Sequence, residues 1–139
     1  MTNHEILNKF SCLLMKNGKK SLAFKLLKHS LKQAANILSI SETALLEQVL
    51  RNVKPSIDAR SKKVGRVSYI IPYAITEKQS ICLAIKLLVK SARERREKDF
   101  TSRLTNEFVD SFNNKGGSIK KKNEIHMLAE ANKSFAFFR

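Results

Sequence analysis

The stretch Ile57-Asp58-Ala59-Arg60-Ser61-Lys62-Lys63-Val64-Gly65-Arg66-Val67-Ser68-Tyr69-Ile70-Ile71-Pro72-Tyr73-Ala74-Ile75 decides the fold. Its second half alternates: Val67, Tyr69, Ile71, Tyr73 and Ile75 recur at the period of two at which side chains share one face of a strand. Gly65 precedes this run and supplies a turn between two extended segments, so residues from about 57 to 75 read as a β-hairpin. Pro72 is tolerable there because both strands of a ribbon are edges. A lone ribbon is marginal in water, so its base is expected to lean on helices and its outer part on a partner.

Outward from the ribbon, apolar residues recur at helical spacing. A first helix is expected from about Asn3 to Lys16, stopped by Asn17-Gly18, a pair suited to a left-handed C-cap. A second spans about Lys20 to Leu38, with Ala23, Leu27, Leu31, Ala34 and Leu38 as one stripe and Lys25, Lys28 and Lys32 on the other side. A third opens at the N-cap Ser41 and closes before Pro55. After the ribbon, Thr76 and Gln79 have capping-box spacing, and a fourth helix runs to about Arg96. Its centre, Ile81 to Val89, is apolar on nearly all sides and should be the most buried. A fifth begins near Asp99 with Phe100, Leu104, Phe108 and Phe112 at four-residue steps, and Asn113 to Gly117 ends it. A sixth runs from about Ser118 to Lys133, ahead of an aromatic tail from Phe135 to Arg139. The fold class is mainly α: a single domain, residues 1–139, of about six helices with a protruding two-stranded β-hairpin between the third and fourth helices.

Charge bounds the partner. Lys plus Arg number 27 against 12 Asp plus Glu, a formal +15 on 139 residues, more than solubility requires. A polyanion is the implied partner. The apolar fraction of 42% excludes a disordered basic tail, which would lack the means to form a core. Cys12 and Cys82 form no C-x-x-C pair and read as two buried thiols in a reducing compartment. The longest apolar run, Ile81 to Val89, is broken by Lys86 and falls short of a bilayer span, and no membrane role is implied. The start, Met1-Thr2-Asn3-His4-Glu5, has no basic n-region, so the protein is expected to work where it is made or after loss of a targeting segment.

The positive excess is concentrated in three places. At the ribbon tip, Arg60, Lys62, Lys63 and Arg66 carry no acid between them, on a projection thin enough to enter a groove or lie along phosphates. The plainer alternative is a solvated hairpin made basic against edge pairing. Arg93 and Arg96, with Lys90, Arg95 and Lys98, gather at the end of the fourth helix, where cations also suit the helix dipole. Lys115, Lys120, Lys121 and Lys122 cluster around a helix N-terminus, against the macrodipole, a conflict that a bound phosphate would relieve. Lys19 and Lys20 form a smaller patch after Gly18. Tyr69 and Tyr73 could stack on bases, but the core is the preferred place for both.

Catalysis has no candidate residues. His4, His29 and His126 lie in different segments, outside any nucleophile, metal or phosphate-loop motif, and Glu124 and Glu130 sit among lysines. No metal ligand set and no cofactor are expected. For His126 packing or RNA contact is the preferred role.

Four stretches resemble the universal small-subunit ribosomal protein seven family. They are Met15-Lys16-Asn17-Gly18-Lys19-Lys20-Ser21; Asn52-Val53-Lys54-Pro55; Arg60-Ser61-Lys62-Lys63-Val64-Gly65 with Tyr69 and Pro72; and His126 with Ala129-Glu130-Ala131-Asn132-Lys133-Ser134-Phe135-Ala136. The likeness runs from about Lys9 to Arg139. It implies a non-catalytic helical domain with a protruding β-ribbon, bound to the head region of small-subunit ribosomal RNA early in assembly. It further implies a ribbon near the messenger exit and exit-site transfer RNA, with small-subunit protein eleven as a neighbour. Matching positions carry RNA contact onto Lys19, Lys20, Arg60, Lys62, Lys63, Lys120, Lys121, Asn132 and Lys133.

The chain departs from the family pattern at several points. Arg66 stands in place of a second turn glycine, which leaves the turn type open, and Leu87 stands where Trp is usual. Met127-Leu128 replace Arg-Met after His126, the basic N-terminal extension is short and the closing Trp is missing. This drift, with 19 Lys against 8 Arg, resembles a protein from an AT-rich organelle genome: the mitochondrial matrix is the first expectation, a plastid or a bacterial cytoplasm the alternative. A DNA-binding architectural protein using the same ribbon, or a surface helix protein on anionic membranes, would share the charge but not the four stretches.

Overall fold

The computed structural model describes the backbone of residues 1–138 and the side chains of residues 1–135. Its elements are α1 (Asn3–Leu14), α2 (Lys20–Leu38), α3 (Glu42–Val53), β1 (Ile57–Val64), β2 (Val67–Ala74), α4 (Glu77–Glu94), α5 (Phe100–Phe112), α6 (Gly117–Ala131) and a terminal 3-10 turn, η1 (Lys133–Phe138). The mainly helical class with a hairpin between the third and fourth helices is what the periodicity predicts.

The helix starts follow from side-chain chemistry. Thr76 and Gln79 form a capping box at α4, with Thr76 N donating to Gln79 Oε1 at 3.1 Å, and Ser41 Oγ accepts the amide of Ala44 at 3.3 Å at α3. Thr2 and Glu5 make a second box, at α1. The end of α1 differs from expectation. It stops at Leu14, because Asn17 (φ 56°) and Gly18 (φ 74°) do not cap it but form a separate tight turn in which Lys19 N donates to Lys16 O at 3.1 Å. Left-handed φ at both central residues is the I′ pattern, which Asn-Gly favours. α4 ends at Glu94 and α6 at Ala131, two residues short in each case.

One cluster of buried apolar side chains extends from Ile6 on α1 to Ile119 on α6. α4 supplies the largest part, from Ile81 through Ala92, including Leu87. α5 packs against α2, α3 and α4, and its Phe108 ring lies 5.8 Å from that of Phe10 at a tilt of 57°, both fully buried. Each such ring removes enough apolar surface from water to contribute roughly 1.5–3 kcal/mol. Cys12 and Cys82 are free and only half-buried, not the buried thiols expected.

The ribbon pairs antiparallel from Ile57↔Ala74 to Val64↔Val67, leaving Gly65 and Arg66 as the loop. Of these two, Gly65 alone has a positive φ, +64°. A II′ turn asks for a glycine only at its first central position, so Arg66 is accommodated at the second. Ile71 and Pro72 are both buried, and successive strand residues point to opposite faces, so the ribbon base is covered on both sides. From Ser61 to Ile70 only Lys62 and Tyr69 are half-buried, and the rest are exposed. The preference for Tyr69 and Tyr73 as core residues is overturned: both are half-buried. Tyr69 packs on Phe135, ring centroids 5.0 Å apart, and Tyr73 carries the Arg60 guanidinium at 5.4 Å.

Candidate nucleic-acid interface

The base of the ribbon is anchored by polar contacts. Ser80 Oγ donates to Pro55 O at 2.5 Å, Lys54 pairs with Glu77 at 2.5 Å, and Ser56 N donates to His126 Nε2 at 3.3 Å. His126 therefore presents a lone pair and is neutral. Burial, followed by the charge of Lys122, lowers its pKa from the usual value. His126 lines the cleft between α6 and the ribbon with Pro72 and Lys133.

At the tip, Lys63 and Arg66 are exposed. Arg60 is more engaged than the acid-free run from Arg60 to Arg66 implies, since Asp58, two residues back on the same face, accepts its Nε–H at 2.9 Å. Lys62 is half-buried, opposite Tyr69.

The α4 cluster divides into two kinds of cation. Arg95 belongs to the fold: it pairs with Glu97 at 3.1 Å, buried Glu107 at 3.0 Å and Asp110 at 2.9 Å. Burial opposes its charge, but the hydrogen bonds it donates to those carboxylates outweigh it and raise its pKa. Arg93 and Arg96 are exposed, and Arg93 donates to Leu14 O at 3.2 Å.

The lysines near the start of α6 divide the same way. Lys115 and Lys120 are exposed. Lys121 pairs with Glu94, whose pKa it lowers, and Lys122 donates to Asn52 O at 2.8 Å, satisfying a carbonyl in the last turn of α3. The protein itself places an anion at this helix start, because the Glu107 carboxylate accepts both the amide and the hydroxyl of Ser118. At the other end, Asn132 Nδ2 donates to Leu128 O at 2.8 Å and exposed Lys133 pairs with Glu130 at 3.0 Å.

Lys19 and Lys20 are exposed, and packing brings Lys19 together with Arg93. Both line a groove of about 340 Å³ that also holds Lys16 and Arg103. Sequence reading missed these last two. Lys16 had a signal, its place three residues before Lys19 across an Asn-Gly turn, but Arg103 joins only through the packing of α5. Among the described residues there is no cluster of metal-ligating side chains, and no helix is long and apolar enough to cross a membrane.

Residues 1–133 match the family described as ribosomal protein S7p/S5e. The chain belongs to that family. It is accordingly a structural ribosomal protein and not an enzyme. It is 38% identical over 134 residues to the small ribosomal subunit protein uS7 of Petrotoga mobilis, covering 96% of this chain and 86% of that one. It is 39% identical over 137 residues to the protein of that name from Shewanella sediminis, covering 99% and 88%, and 38% identical over 131 residues to that of Dichelobacter nodosus, covering 94% and 84%. These relatives are bacterial, so they give the mitochondrial expectation no support.

Proposed function

We propose that the chain is a structural constituent of the small ribosomal subunit, binding small-subunit ribosomal RNA in the head region and helping to nucleate head assembly. Its ribbon would lie near the messenger exit and exit-site transfer RNA, with protein eleven as a neighbour. The observation that carries this reading is the ribbon itself: covered on both faces at Ile71 and Pro72, yet exposed at Lys63 and Arg66. A basic projection on a fixed base suits a phosphate backbone that must be met at a set angle. Lys19, Lys20, Arg93, Arg96, Lys115 and Lys120, all exposed, would add phosphate contacts, whereas Lys121, Lys122 and Asn132 would contribute chiefly by holding α6 in place.

The continuous cluster of buried side chains supports a single domain over residues 1–139. Placement in an organelle rests on composition alone. The test is binding at one fixed salt concentration to a fragment of small-subunit ribosomal RNA containing the head, and to duplex DNA of equal length. Preference for the RNA is expected, and equal affinity would contradict the assignment.

A further inference from the structure

The groove that joins Lys19 to Arg93 has a composition unlike the rest of the basic surface. Its rim holds Lys16, Lys19, Arg93 and Arg103, and among the described residues no acidic one lines it. Arg93 donates to Leu14 O at 3.2 Å, while Arg103 donates to Glu97 O at 2.5 Å and Lys98 O at 3.3 Å. These partners are neutral carbonyls, so both guanidiniums are oriented without being neutralised. Arg95, a short distance along the chain, contrasts with them in having three carboxylates. The Lys16–Lys19 turn sets its two lysines at the corners of a tight bend, so their positions are fixed by backbone geometry.

The floor is apolar. Met15, Leu26 and Phe100 are half-buried there, and Leu22, 52% exposed, lines the groove with them. A plain phosphate-backbone contact has no use for such a floor. A volume of about 340 Å³ with an apolar base and a cationic rim fits a planar, apolar-faced group tethered to phosphates. In a duplex the base faces are hidden in the stack; in a bulge or loop they are free to pack on a protein surface.

We propose that this groove is a subsite for a single unpaired nucleotide of RNA, its phosphates against Lys16 and Lys19 and its base on Leu22 and Phe100. The inference rests on the RNA-binding reading above and specifies how one part of it works.

The experiment uses two RNA hairpins identical except that one carries a single bulged 2-aminopurine nucleotide. Affinity for both is measured at one salt concentration, together with the 2-aminopurine fluorescence, for the unmodified chain, L22D and S21D. Leu22→Asp introduces an acid in the first turn of α2, which suits the helix dipole, so the fold is retained; circular dichroism verifies this. Ser21→Asp adds the same charge one residue away, at a position that does not line the groove. The expected result is about tenfold tighter binding of the bulged hairpin with a change in fluorescence. That preference is lost in L22D, while S21D weakens both hairpins equally. Equal binding of the two hairpins by the unmodified chain, or a preference that survives L22D, overturns the subsite and leaves the RNA-binding reading standing. Displacement of the bulged hairpin by a polyglutamate peptide as effectively as by unlabelled hairpin also overturns it. Binding to neither hairpin would overturn the RNA-binding reading and the subsite together.

Discussion

The buried carboxylate of Glu107 accepts the backbone N–H of Ser118 at 3.0 Å, so the first turn of α6 is capped by a side chain from α5. Its other oxygen receives Arg95 Nη1 at 3.0 Å. This anion offsets the helix dipole and explains how Lys120, Lys121 and Lys122 can occupy the start of the helix. Glu107→Ala would leave the Arg95 charge short of a partner and the Ser118 amide without an acceptor. It is expected to cost about 3–5 kcal/mol in urea unfolding, with Glu107→Gln losing less because an acceptor remains. A loss below about 1 kcal/mol for the alanine variant would show that the cap contributes little.

The His126–Ser56 hydrogen bond makes the ribbon base sensitive to acid. The folded-state pKa of His126 is depressed, so the unfolded chain binds the proton more readily. The contribution is therefore complete above about pH 6.5 and declines as pH falls through the lowered value. Thermal unfolding between pH 7.5 and 5.5 should show a steeper loss of stability for the native chain than for His126→Gln. Parallel curves would contradict the assignment of the neutral acceptor.

How far the fold could be read in advance depended on whether the deciding interactions were local. The capping box of Thr76 and Gln79, the alternation from Val67 to Ile75 and the stripe from Ala23 to Leu38 are written into neighbouring residues, and they were legible. The partner of Ser118 is eleven positions away and on another helix, so nothing near Lys120 to Lys122 revealed that their helix start was already capped. The same holds for Arg103, which α5 delivers to the groove beside Lys19, and for Arg95, whose carboxylates Glu107 and Asp110 lie one helix on. Alternation reveals a face but not its cover, so the sequence alone does not show that Tyr69 is only half-buried. The ring that packs on Tyr69 is Phe135, from the far end of the chain.

Phe108 and Phe10 fill the space between α1 and α5. Phe108→Ala should destabilise the protein by about 3–5 kcal/mol, through lost burial and the cavity left behind. The urea midpoint should fall with little change in slope. A shift under about 1 kcal/mol would mean that the cluster closes around the gap.

The ribbon tip is expected to act through charge and not through stability. Lys63→Glu combined with Arg66→Glu should flatten the dependence of log affinity for head RNA on log salt by about two units, with the thermal midpoint nearly unchanged. An unaltered slope would place the phosphate contacts elsewhere on the protein.

The most direct test of the central claim is sedimentation of the tagged chain in a lysate of its own source. The structural role proposed for it predicts that the chain travels with small ribosomal subunits through a sucrose gradient and is released only by high salt. A chain that stays at the top of the gradient at low salt, while small subunits sediment normally, would contradict it.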